Sequence, residues 1–148
     1  VAVMKFELEQ VLNYRREMEK VRKQEFAVAK QELEAAHDIL DQYHNQVTKL
    51  TDEFNHKQSE LHTIDELTRY VQYFAKKRLD IERQKETIEQ LDGVMNDRRE
   101  YLLDAAKDKK VLESLKERKT KEFQNELAHK ERAFLDEISV QKNSGSAQ

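Results

Sequence analysis

Five histidines, His37, His44, His56, His62 and His129, are the side chains of this sequence best suited to bind a metal or move a proton near neutral pH. His37 and His44 stand seven residues apart, which puts them on one helix face. Zinc on a helix takes a pair at i and i+4 with a third ligand, and neither HExxH nor a carboxylate–histidine cage is present. With no cysteine there is no thiolate ligand, thiol nucleophile or disulfide frame. Gly93 and Gly145 are the only glycines, which leaves no phosphate-cradling loop and no GxSxG elbow. Carboxylates are plentiful but scattered over polar faces, where no general acid or base is expected. The residues therefore predict no catalytic set, no cofactor site and no metal site, and the histidines read as solvated. A small metal-dependent or hydrolytic helical protein is the rival that metal analysis would test.

The elements that carry these side chains are written in the apolar spacing. Leu67, Phe74, Ile81, Ile88, Met95 and Leu102 follow one another at intervals of seven. Phe26, Ala29, Leu33, Ala36, Leu40, Tyr43, Val47, Leu50 and Phe54 alternate steps of three and four. A period of 3.5 marks a helix that buries one narrow stripe against another helix. Of the 148 residues, 39% are charged and 37% hydrophobic, and there is no proline. Mean hydropathy is −0.99, a coiled-coil profile rather than that of a broad globular core. Lys and Arg total 27 against 30 Asp and Glu, so no basic excess points to nucleic acid. No apolar run approaches the roughly 18 residues of a membrane span, and no signal-peptide core is visible. A soluble, cytoplasmic, all-α chain is the expectation.

The spacing predicts helix one over about residues 5–57, a turn over about 58–63 and helix two over about 64–142. Residues 143–148 read as a disordered tail after a single hairpin domain of residues 1–142. Met4 reads as a natural start, with three residues added before it. Leu8, Val11, Tyr14, Met18 and Val21 form the early stripe of helix one, out of frame by one residue with Phe26, so a local irregularity is expected there. The break falls at Ser59 to His62, supported by the capping box Thr63-Ile64-Asp65-Glu66. Folding back between residues 60 and 61 sets Phe54 opposite Leu67, Val47 opposite Phe74, Leu40 opposite Ile81, Leu33 opposite Ile88 and Phe26 opposite Met95. At about 1.5 Å per residue, helix one is about 80 Å long and helix two nearly 120 Å. The fold class is thus all-α, two long helices in an antiparallel coiled-coil hairpin, with helix two overhanging.

Lys77, Gln84, Arg98 and Lys109 fall at seam positions of helix two. They either fix register, with the charged stems snorkelling, or keep the hairpin loose enough to shift on binding. Ile39, Tyr73, Val94 and Tyr101 flank the seam, and Leu79 faces away. In the overhang, Leu112 and Leu115 can reach Val11 and Leu8. Phe123, Leu127, Phe134, Leu135 and Ile138 form an apolar strip with no partner in the chain. Such a strip predicts a partner helix, a groove or self-association, unless it is a fraying helix end.

Several segments resemble the FliJ family of flagellar export proteins. Phe6-x-Leu8-x-x-Val11-Leu12-x-Tyr14-Arg15 is similar to the family's opening, and Tyr70-Val71-Gln72-Tyr73-Phe74, with Ile81, Gln84 and Ile88, to the entry of its second helix. Arg99, Leu102, Ala105, Asp108, Lys110, Leu112, Glu113, Leu115 and Lys116, followed by Glu122-Phe123, Glu126, Glu131 and Asp136-Glu137-Ile138, match its second half in order. The resemblance implies a non-enzymatic component of the type III flagellar export apparatus, bearing on motility and chemotaxis, similar to the stalk of rotary ATPases. It implies three partners: the export ATPase ring, the cytosolic domain of the export gate, and export chaperones. It implies membrane association only through them. It also implies a gate-contacting apolar patch at Ala36, Ile39, Tyr43 and Tyr73, although Lys77 and Asp80 stand where the family tends to be apolar. Partner contacts in the overhang are expected at Phe123, Leu127, Phe134 and Ile138. A generic coiled-coil scaffold or a needle-type secretion stalk is the alternative that shares the fold.

Overall fold

The computed structural model describes residues 3–60 and 63–146. Two helices follow in order, α1 (Glu9–Lys57) and α2 (Ile64–Ser146), and the fold is the all-α antiparallel coiled-coil hairpin that the two seams predict. No strand occurs among the described residues.

The helix ends follow from local hydrogen bonds. The Glu9 amide donates to the Phe6 carbonyl at 3.2 Å, and the Leu12 amide to the Leu8 carbonyl at 2.9 Å. Helix α1 therefore begins at Glu9 rather than near Lys5, with the Glu9 carboxylate at the positive end of the helix dipole. At its other end, His56 and Lys57 occupy the negative end, and the Glu60 amide closes a turn on the Lys57 carbonyl at 2.9 Å. Of the expected break, Ser59 and Glu60 lie in this turn, while Leu61 and His62 fall outside the described residues. Thr63 caps α2 as its motif predicts: the Glu66 amide donates to Thr63 Oγ1 at 3.2 Å. Helix α2 does not stop near Lys142. It continues through Asn143, Ser144 and Gly145 to Ser146, since neither a proline nor a residue at positive φ interrupts it. Ala147 and Gln148 of the expected tail fall outside the described residues.

The chain divides into two compact units, a turn unit, Val21–Leu103, and a terminal unit, Val1–Lys20 with Asp104–Gln148. In the turn unit the buried side chains are Ala29, Leu33 and Ala36, a small–large–small run along one stripe of α1. Facing positions Phe74, Ile81, Gln84, Ile88, Leu91 and Met95 of α2 are half-buried. Two small residues flanking a leucine let the helix axes approach closely, because axial distance follows side-chain size at the contact. The bonded pairs fix the register. Ala36–Gln84 and Tyr43–Lys77 are each centred on residue 60, and Glu53–Tyr70 and Glu25–Arg98 between residues 61 and 62. These centres bracket the fold-back point predicted from the seams.

Two expectations are corrected. Phe54 meets the rings of Tyr70 (centroids 5.3 Å apart) and Phe74 (6.3 Å), both edge-on, while Leu67 stays 45% exposed. The aromatic pair prefers edge-to-face packing, which draws Phe54 about one turn further along α2 than Leu67. The second correction concerns the early seam of α1. Leu8, Val11, Tyr14 and Val21 are exposed and Met18 alone of that stripe is half-buried, whereas Leu12 is fully buried and Arg15, Glu19, Arg22 and Phe26 are half-buried. The seam therefore runs Leu12, Arg15, Glu19, Arg22, Phe26 in unbroken steps of three and four. No frame slip occurs. Polar residues hold seam positions because each finds a partner, which an apolar-only reading misses.

Candidate partner-binding site

Two surfaces follow from the sequence, one in each unit. In the turn unit, Ile39 and Tyr43 lie four residues apart on α1, and hence on one face. Ile39 and Tyr73 are exposed, and Tyr43 is half-buried. Ala36 does not join them at the surface. It is 5% exposed, and its carbonyl accepts a 2.8 Å bond from Gln84 Nε2.

Lys77 organises this face. Its ammonium lies 5.0 Å from the centroid of Tyr43 and 5.5 Å from that of Tyr73, and it donates to Gln46 Oε1. A cation between two π faces gains about 0.5–1 kcal/mol per ring when exposed. The residue that departs from an apolar patch is thus the one that ties its two tyrosines together. Its polar seam neighbours are also answered across the hairpin. Gln84 bonds Ala36, and Arg98 Nη1 stands 3.9 Å from Glu25 Oε2 and beside the Tyr101 ring. In the terminal unit, Lys109 Nζ bonds Glu19 Oε2 at 2.8 Å. That contact holds the Lys109 ammonium above its usual range, against the opposing effect of burial. Register control is the reading these contacts support.

Next to the tyrosine face, Leu50, Glu53, Lys57, Glu60, Glu66, Arg69, Tyr70 and Tyr73 line an open groove. Within it the Tyr70 hydroxyl donates to Glu53 Oε1 at 3.2 Å, and Lys57 Nζ donates to the same oxygen at 3.1 Å. The Lys57 hydrogen bond, then that of Tyr70, holds the Glu53 carboxyl below its usual range. Desolvation, then the Glu53 contact, pushes the Tyr70 phenol up.

In the terminal unit, α2 carries the apolar strip. Phe123 and Leu127 are half-buried, whereas every described side chain from Ala128 to Gly145 is exposed. Phe134 and Leu135 stand 62% and 63% exposed, Ile138 42%, and Val140, which the spacing did not single out, 66%. Phe123 is not bare as expected. Met4, Lys5, Phe6, Glu7 and Leu8 share a groove with it, Leu115 and Glu126. These residues precede α1, and an alignment of helical stripes alone gives them no place to pack. The histidines contribute to neither surface: His37, His44, His56 and His129 are exposed, and His62 falls outside the described residues. Among the described residues no three His, Asp or Glu converge as a metal cage, and no helix is long and apolar enough to cross a membrane.

The fold and these two surfaces define a class: a two-helix coiled coil whose second helix is exposed on every face from Ala128 to Gly145. The family model described as flagellar FliJ protein matches residues 4–148, and the chain belongs to that family. It is therefore a flagellar export-related protein. No curated protein and no solved structure matches it.

Proposed function

We propose that this chain is a stalk-like coupling element without catalysis of its own. Its prolonged helix α2 binds the export ATPase ring, and its Tyr43–Tyr73 face meets the cytosolic domain of the export gate. Export chaperones use the same exposed helix surfaces. The chain works in the cytoplasm and reaches the membrane through these partners alone. The observation that carries this reading is the run of Phe134, Leu135, Ile138 and Val140 on a helix whose side chains from Ala128 to Gly145 are all exposed. Apolar area of this kind gains about 25 cal/mol per Å² when covered, so a ring that presents apolar side chains holds it. A coiled coil resists bending and repeats its faces, which suits contact with several equivalent subunits.

Truncation after Lys116 removes the strip and leaves most of the paired helices. The truncated chain is expected to lose stimulation of the purified export ATPase. Full stimulation would place the contact elsewhere. A pull-down with the ATPase and with the gate's cytosolic domain separates this function from that of a generic scaffold or a needle-type stalk.

A further inference from the structure

We propose that residues 3–8 form a displaceable strap that occupies the near end of the α2 apolar strip, so that a partner engaging the strip must first lift it. The proposal rests on the reading that the arm of α2 is the ATPase-binding surface. Three observations in the terminal unit carry it. The segment has no helical structure before Glu9, and the Phe6 carbonyl accepts a 3.2 Å bond from the Glu9 amide where the helix begins. Met4 and Phe6 are half-buried while Val3 between the chain start and Met4 is 81% exposed, so the segment alternates residues turned to the helix with residues turned to water. The groove that Met4, Phe6 and Leu8 line is closed on its other side by Leu115 and Phe123 of α2.

The energetics favour a cover that opens. The strap is held by two apolar side chains and lacks the ladder of backbone bonds that makes a helix turn cooperative. Segments with few buried contacts open at low free-energy cost. Phe123, which shares the groove with the strap, continues through Leu127 into Phe134 and Ile138 at helical spacing, so the strap meets one end of a stripe whose other end is bare. A partner that follows this stripe gains more contact with the strap lifted. Affinity for such a partner falls by the fraction of time the strap is open.

The test uses the full chain. Met4→Ala with Phe6→Ala weakens the strap without touching α2, and Phe134→Glu damages the bare part of the strip. ATPase activity is titrated with each protein. The double alanine variant is expected to reach half-maximal stimulation at about five- to tenfold lower concentration, for a strap open roughly 10–20% of the time. Phe134→Glu is expected to require more protein. Maleimide labelling of Leu115→Cys, a half-buried groove position in a chain without other cysteines, is expected to speed up in the double variant. If Phe134→Glu weakens stimulation while the double variant matches or falls below the parent, the strap is no inhibitor and the arm remains the docking surface. If Phe134→Glu changes nothing, the arm is not the docking surface, and the strap's competition falls with it. Labelling that ignores the double variant shows that the strap never covered the groove.

Discussion

The turn unit and the terminal unit pair the same two helices by different means. In the turn unit the seam is mostly apolar: Ala29, Leu33 and Ala36 are buried, and Phe54 packs edge-on against Tyr70 and Phe74. Among the described residues a single ion pair crosses between the helices there, Arg98 to Glu25, at 3.9 Å. Among the described residues of the terminal unit one side chain, Leu12, is fully buried, and four ion pairs cross: Arg15–Asp108, Arg16–Glu113, Glu19–Lys109 and Glu9–Lys116. Apolar burial is indifferent to ionic strength, whereas exposed ion pairs are weak and screened by salt. The unit that carries the exposed end of α2 is therefore also the one whose pairing the solution can loosen.

Replacing Leu12 breaks the contrast most directly. Leu12→Ala is expected to cost about 2–5 kcal/mol, with much of the loss appearing as faster amide exchange in residues 9–20 and 104–120. Val11 is the internal control, since it is exposed one residue away. Val11→Ala is expected to change little. Equal losses at the two positions would restore the early stripe through Val11 and Tyr14 and overturn the unbroken seam.

That test touches what the sequence could reveal. The turn unit was legible because its seam is apolar at nine positions from Phe26 to Phe54 and at the heptads from Phe74 onward, enough to predict the pairing and its register despite Lys77, Gln84 and Arg98 between them. The early part of α1 was not, because Arg15, Glu19 and Arg22 hold seam positions. Hydropathy ranks them as solvent-facing, so the eye moves to Val11, Tyr14 and Val21. Counting back from Phe26 in threes and fours, with polar residues allowed, would have found Leu12. The edge-on Phe54–Tyr70 contact was hidden for another reason, since ring geometry is set by side-chain packing and not by period. Of the candidate surface, Phe134, Leu135 and Ile138 were legible as a strip, but the groove that residues 3–8 share with Phe123 was not, because those residues are not helical and have no period to read.

Two substitutions in the turn unit should act with opposite sign and similar size. Gly93 lies within α2, at ordinary φ, and an added Cβ meets nothing within 4 Å. Gly93→Ala is expected to stabilise the chain by about 1 kcal/mol and raise the melting temperature by a few degrees. Thr63→Ala removes the oxygen that accepts the Glu66 amide and is expected to cost about 1 kcal/mol. Thermal melts by circular dichroism read both. A Gly93→Ala protein that melts lower would mean that the helix needs its freedom to bend at that point.

Salt sharpens the comparison without any substitution. Raising sodium chloride from low to high concentration is expected to speed amide exchange in residues 9–20 and 104–120 several-fold while leaving residues 29–36 unchanged. Uniform protection across both units at every concentration would mean that the four ion pairs contribute nothing to pairing in the terminal unit.

The smallest effect belongs to the turn cluster and depends on pH. Glu53 is held below its usual range by its hydrogen bonds with Lys57 and Tyr70, so its contribution is present above the unfolded carboxyl pKa and is lost as pH falls through the depressed folded value. Lys57 and Tyr70 are both pushed up. Their contributions are complete below their unfolded values and are lost as pH rises through the folded ones. The three signs together define a plateau from about pH 5 to pH 9, with a shallow acid limb from Glu53 and an alkaline limb from Tyr70 and Lys57. Because the groups are solvent-exposed, screening keeps both limbs small. Comparing the parent with Glu53→Gln isolates the cluster, since the variant keeps the shape and the acceptor oxygen but cannot titrate. The difference in melting temperature between the two is expected to shrink as pH falls from 6 to 3. A difference that stays constant would show that the carboxylate's charge adds nothing to the hydrogen bonds, leaving the Phe54–Tyr70–Phe74 rings as the whole of what holds that end of the turn unit.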